Sequence, residues 1–119
     1  MVSSGPVAPR AGLEYTVLTY GLRFIWASAK NESNQRIHEI SFKTAKEVFG
    51  DSHQVVFENY FIEDQGEQRQ TILGMTERLA LIIVILVDRD SAAGDTIHLI
   101  SARKADKYEQ TIYSSSFQS

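Results

Sequence analysis

The chain contains no cysteine, which removes disulfides, thiolate metal sites and a cysteine nucleophile from consideration. It has no long apolar run. The longest, Leu79 to Val87, is too short to cross a bilayer. Met1-Val2-Ser3-Ser4-Gly5-Pro6 carries neither the basic nor the apolar region of a secretory leader, so the expected location is the cytoplasm. Phosphate-binding loops and serine-nucleophile elbows are missing, as is any paired-histidine zinc spacing. Asp88-Arg89-Asp90-Ser91-Ala92-Ala93-Gly94-Asp95 begins like a calcium loop. However, Ala92 stands where a third ligand belongs, the glycine falls one place late and no glutamate closes it. The expectation is chemistry without a metal or other cofactor. Strong positive charge is absent too: the net charge is -3, which argues against a nonspecific nucleic-acid coat protein.

What is present is one domain's worth of ordinary composition, 119 residues with 43% apolar and 23% charged. The charge is uneven. Residues 51–95 hold nine acids against three arginines, whereas residues 21–50 carry five Lys or Arg against three Glu. A local basic cleft therefore remains compatible with an acidic whole.

The organising stretch is Leu79 to Tyr113. The run Leu79-Ala80-Leu81-Ile82-Ile83-Val84-Ile85-Leu86-Val87 is rich in β-branched residues and reads as a strand buried on both faces. Asp88 to Asp95 supplies a turn, and Thr96 to Ser101 returns as a second strand. Ala105, Glu109 and Tyr113 then recur every four residues along one helix face. Upstream, Leu22 to Trp26 reads as a short strand. Ser28 is the expected N-cap of a helix to His38, and Ser41 starts a second helix through Phe49 that ends at Gly50-Asp51-Ser52. His53 to Ile62 and Gln68 to Met75 read as strands around a turn at residues 63–67, with a tight connection at Thr76-Glu77-Arg78. Residues 1–20 read as an extension or tail in which Leu13 to Tyr20 could form an extra edge strand. Residues 21–114 form the domain, and residues 115–119 should fray. The expected fold is a single compact α+β domain of order β-α-α-β-β-β-β-α with a mostly antiparallel sheet.

Two groups of side chains could carry chemistry. Lys30, Asn34 and His38 are spaced i, i+4, i+8 on the first helix. An ammonium, an amide and an imidazole there could bind a phosphate and move a proton. The plainer reading is a solvated helix face. Arg103 and Lys104 sit where the last strand hands over to the last helix, with Glu109 and Tyr113 beyond. An arginine there could grip a phosphate and stabilise a phosphoryl transition state. The plainer reading is an Arg103–Glu109 ion pair that pins the helix, with Tyr113 packing at its end. Arg69, in an alternating strand, could lend a second guanidinium. His98 and His53 read as ordinary sheet and turn residues.

Several of these blocks recur together in one family. Phe24-Ile25-Trp26, Lys30, Asn34, His38, Phe42, Ala45 and Val48-Phe49 are followed by Glu67-Gln68-Arg69 with Gly74 five places on. Then come Ile97-His98-Leu99-Ile100-Ser101-Ala102-Arg103-Lys104-Ala105, Glu109 and Tyr113. In this the chain resembles the BrnT toxins, whose first block reads F-x-W-D-x-x-K-x-x-x-N-x-x-K-H-G-x-x-F. It departs from that pattern at Ala27, Ile37 and Glu39, where the family usually has Asp, Lys or Arg, and Gly.

The resemblance implies a RelE-like fold and an endoribonuclease toxin of a type II toxin–antitoxin pair that inhibits translation. Without a metal, the ribose 2′-hydroxyl attacks the adjacent phosphate. On that implication Arg103 and Arg69 clamp the phosphate, Lys30 adds charge, and His38 or Glu109 carries the proton. Tyr113 positions the nucleotide, and Asn34, Lys104 and Trp26 contribute to substrate binding. The implied partners are RNA and a BrnA-like ribbon-helix-helix antitoxin, with a dimer of toxin–antitoxin pairs as one assembly and no membrane. The alternative is a catalytically weakened toxin-like module that binds RNA or protein. A small-ligand-binding domain has no feature in its favour.

Overall fold

The computed structural model describes residues 13–64, 67–91 and 94–118. Leu13–Thr19 (β1) and Leu22–Ala27 (β2) form a hairpin. Its two-residue turn holds both Tyr20 and Gly21 at positive φ, 58° and 74°, the twist that suits a tight hairpin. The alternation in Leu13 to Tyr20 thus does make an edge strand. Ser28–His38 (α1) follows, then Phe42–Ala45 (α2), which tightens into a 3-10 segment over Lys46–Gly50. Val55–Asp64 (β3), Glu67–Met75 (β4), Leu81–Ser91 (β5) and Gly94–Lys104 (β6) come next. Lys107–Ser115 (α3) and a 3-10 turn at Ser116–Gln118 end the described chain.

Among the described residues the sheet has six strands in the order β1-β2-β6-β5-β4-β3. Every neighbouring pair is antiparallel except β2 with β6, so the mostly antiparallel α+β architecture holds, with one strand more than the expected order. β5 lies inside the sheet. Ile82, Ile83, Val84, Leu86 and Val87 are all buried, because one face meets the α1–α2 side and the other the α3 side. The first core joins Phe24, Trp26, Phe42, Val48, Ile72, Val84, Leu86, Ile97 and Leu99, and the second joins Leu73, Ile83, Ala105 and Tyr113. Gly74 belongs to the close contact beneath the 3-10 segment: a Cβ there would lie 2.8 Å from the Cβ of Val48.

Several expected boundaries move. Leu79 and Ala80 leave the apolar run. Leu79 is 79% exposed at φ 65°, in a turn closed by bonds from Thr76 N to Ala80 O and from Leu79 N to Thr76 O. The connection is therefore longer than Thr76-Glu77-Arg78. The turn expected over Asp88 to Asp95 is shorter, since Asp90 pairs with Asp95 and Ser91 with Gly94; residues 92–93 lie outside the described residues, as do 65–66 of the other expected turn. β6 continues to Lys104, and α3 starts only at Lys107. Asp106 is its N-cap, and its side chain accepts from Glu109 N while the Glu109 carboxylate accepts from Asp106 N, a reciprocal cap.

One irregularity decides where Arg103 points. Ile85 pairs with Ser101 but Leu86 pairs with Leu99, so Ile100 is an inserted residue in β6. A bulge of this kind reverses the alternation of side chains beyond it. Ile97 and Leu99 face the α1–α2 core, whereas Arg103, paired with Ile83, takes the opposite face toward α3. Without the bulge strict alternation would drive the guanidinium into the core under α1.

The ends of α1 explain two of the departures from the BrnT pattern. Ala27, not Ser28, is the N-cap, with extended backbone and no side-chain cap bond. Glu39 ends the helix in the left-handed region at φ 62°, its N–H donating to Gln35 O. The first position favours Asp, the second Gly. Ala27→Asp and Glu39→Gly should each stabilise by about 1 kcal/mol. Far apart, they should add, and the melting temperature of the double variant should rise by about 8 °C; no rise would contradict this reading of the helix ends.

Candidate functional site

At the C-terminal end of α1 and the end of β6, Ile37, His38, Glu39, Arg103 and Lys104 line an open cleft of about 330 Å³. His38 comes from the last turn of α1 and is half-buried. Arg103 comes from the C-terminal end of β6, its side chain 39% exposed. Its guanidinium is held in a two-pronged contact: Nη1 donates to Glu109 Oε1 at 2.9 Å and Nη2 to Oε2 at 2.8 Å. Nη1 also donates to the Lys104 carbonyl at 3.1 Å. The Arg103 bond holds the Glu109 carboxyl below the usual carboxylate range, against the opposing effect of burial, and the Asp106 N–H adds to it. Glu109 is therefore an ionised clamp, fixed by the same capping box that starts α3. The ion pair expected as the plainer reading of this group is present.

The other expected site residues are dispersed. Lys30 is exposed in the first turn of α1, eight residues or about 12 Å along the axis from His38. Arg69 shares the α3-side face of the sheet with Arg103. The register puts Leu73 opposite Ile83 and Ile83 opposite Arg103, so Arg69 lies four residues and two strands away, about 16 Å between Cα atoms.

Three expectations are corrected. Trp26 is a core residue, 3% exposed and edge-on to Phe42, so it presents no face to a nucleotide. Asn34 is 5% exposed, and its amide bonds backbone between α1 and β6. Tyr113 is buried and donates to Asp51 Oδ2 at 2.6 Å, outside the lining of this cleft. The Lys30–Asn34–His38 row is accordingly not a solvated face; its middle is pressed on the sheet.

Sequence reasoning missed Asp51. Its carboxylate accepts from Tyr113 Oη, Met75 N and His53 N. Burial pushes its pKa up, but the bonds from Tyr113, Met75 and His53 outweigh this and hold it below the usual range. Phe117 extends the anchor, lying against the rings of His53 and Tyr113. No local signal links Asp51 to a tyrosine 62 residues on. Burial first, then Asp51, pushes the Tyr113 phenol up to about 12. A raised folded-state pKa stabilises below the ordinary value and the effect fades as pH climbs to the folded one. The stability gap between the protein and Tyr113→Phe should therefore hold to about pH 10 and narrow as pH rises toward about 12. Denaturant midpoints across that window check this; a constant gap contradicts it.

Fold and cleft define a class: a small α+β domain that presents an imidazole, a guanidinium and an ammonium around one open cleft. The family model described as "Ribonuclease toxin, BrnT, of type II toxin-antitoxin system" matches residues 26–109, and the chain belongs to this family of ribonuclease toxins. Membership in a type II system implies an antitoxin as partner. Among solved structures, the ribonuclease toxin BrnT of Brucella abortus is similar at 20% identity and a TM-score of 0.48, over 69% of this chain and 94% of that one. Among curated proteins none matches. No helix of the described residues is long and apolar enough to cross a membrane.

Proposed function

We propose that the protein is an endoribonuclease that cuts RNA without a metal, at the cleft between the end of α1 and the end of β6. The observation that carries this is the meeting of His38, Arg103 and Lys104 in one open cleft, with the guanidinium already oriented by Glu109. In this reading the ribose 2′-oxygen bonds to phosphorus as the bond to the 5′-oxygen breaks. His38 takes the 2′ proton, and the leaving 5′-oxygen is protonated from water. Arg103 and Lys104 neutralise the pentavalent phosphate. The products are a cyclic phosphate and a free 5′-hydroxyl.

Glu109, ionised and bound to Arg103, holds the guanidinium rather than carrying a proton. Lys30 and Arg69, both outside the cleft, act on phosphates further along the strand. The RelE-like label, a BrnA-like ribbon-helix-helix antitoxin, a dimer of toxin–antitoxin pairs and a cytoplasmic site of action belong to the same reading.

A second reading keeps the cleft for binding alone. Glu39 brings a carboxylate to the cleft, and a phosphate entering it shares Arg103 with Glu109. The test is purified protein with single-stranded RNA in EDTA, beside Arg103→Ala. Cleavage that Arg103→Ala loses supports the nuclease. Binding without cleavage, weakened by Arg103→Ala, supports the binding module and overturns the first reading.

A further inference from the structure

The Asn34 carboxamide occupies an unusual place in the sheet. β6 pairs with β2 only where Arg23 to Ile25 lie beside Thr96 to His98. Further along, Ala102 directs its N–H and C=O to the side where β2 has turned away into α1. Asn34 answers both: its Nδ2 donates to Ala102 O at 2.9 Å, and its Oδ1 accepts from Ala102 N at 3.1 Å. The side chain thus does for Ala102 what a neighbouring strand does for a ladder residue. The same Nδ2 donates to Ile40 O at 2.9 Å, and Ser101 Oγ donates to Oδ1 at 3.4 Å. At 5% exposure the group is buried, and such groups are costly to leave unpaired.

The placement of these bonds matters more than their number. Asn34 stands one helical turn before His38. Ala102 directly precedes Arg103, and Ile40 directly follows the left-handed Glu39 that ends α1. One rigid amide therefore joins the backbone beside the cleft's imidazole to the backbone beside its guanidinium. We propose that Asn34 is a positioning residue which sets the His38–Arg103 separation, so that both reach one phosphate. It touches no substrate. The proposal rests on the reading of the cleft given above and adds to it the element that makes the two walls one site. A misplacement of about 1 Å between reacting groups costs on the order of 10²-fold in rate, so a small relaxation at this amide should be visible in turnover.

The experiment uses the full chain and two variants, Asn34→Asp and Asn34→Ala. Asp keeps the volume and both accepted bonds but turns an oxygen toward the carbonyls of Ile40 and Ala102. Folding is checked by circular dichroism, and cleavage is measured at saturating and limiting RNA. In parallel, a 2′-O-methyl dinucleotide, which cannot react, is titrated while the His38 ring and the Arg103 side chain are followed by NMR.

The expected result is folded Asn34→Asp with kcat down about 10²-fold and KM within a few fold. The dinucleotide should perturb His38 and Arg103 together in the wild type and only one of them in the variant. A folded variant that keeps kcat and moves both signals overturns the proposal. Loss of the fold in both variants does so too, since the amide is then merely structural. Wild type that binds the dinucleotide without cutting RNA defeats the nuclease reading, while the NMR comparison still decides the role of Asn34. Wild type that does not bind it defeats both.

Discussion

Arg103→Ala should lower the rate of RNA cleavage by roughly 10² to 10³, the usual effect of removing one donor to a developing oxyanion. The loss should lie in turnover, because in the proposed mechanism the guanidinium stabilises charge that grows as the 2′-oxygen attacks. The variant also leaves the Glu109 carboxylate without its cation. The Arg103 side chain is 39% exposed, so the stability cost should be only about 1 kcal/mol, and rates compared well below the melting temperature remain interpretable. Arg103→Lys should recover part of the rate: it restores charge but not the fork that engages both Glu109 oxygens. Equal cleavage by all three proteins would remove Arg103 from the chemistry.

His38→Gln should cost about 10² to 10⁴ in rate, the range for loss of a positioned proton carrier. Glu109→Gln is the informative companion. Held below the ordinary carboxylate range by Arg103, Glu109 is ionised wherever the enzyme would be assayed near neutrality. Its replacement should therefore lower the rate only by loosening Arg103, and by less than His38→Gln does. Had Glu109 been the proton carrier, Glu109→Gln would carry the full loss of about 10² to 10⁴ and His38→Gln little of it. This pair of rates separates the two assignments that spacing along the sequence left open.

How far the sequence alone reaches is shown by particular residues. The β-branched run through β5 could be read directly, because a strand covered on both faces needs no alternation and Ile82 to Val84 are buried on both sides. The i, i+4 rows on α1 and α3 were equally legible, and Glu109 and Tyr113 do share the inner side of α3. What alternation could not reveal is the bulge at Ile100, since inserting one residue leaves the strand's composition unchanged while it re-aims everything after it. Arg103 meets Glu109 through that bulge. Asn34 was visible as a residue but not as a surrogate strand, because its partners lie 68 residues away. Leu79 was misread because apolar character does not reveal a left-handed backbone. Ala27 and Glu39 look like losses of charge logic in the string, yet in the fold they sit at the two ends of one helix.

The central claim is that His38 and Arg103 act on the same phosphate, and a double-mutant cycle on cleavage rate tests it most directly. Groups that work as one unit fail to add. The account predicts that the His38→Gln, Arg103→Ala double variant is about as slow as the slower single one. Penalties that multiply in full would place the two side chains in separate events and contradict it.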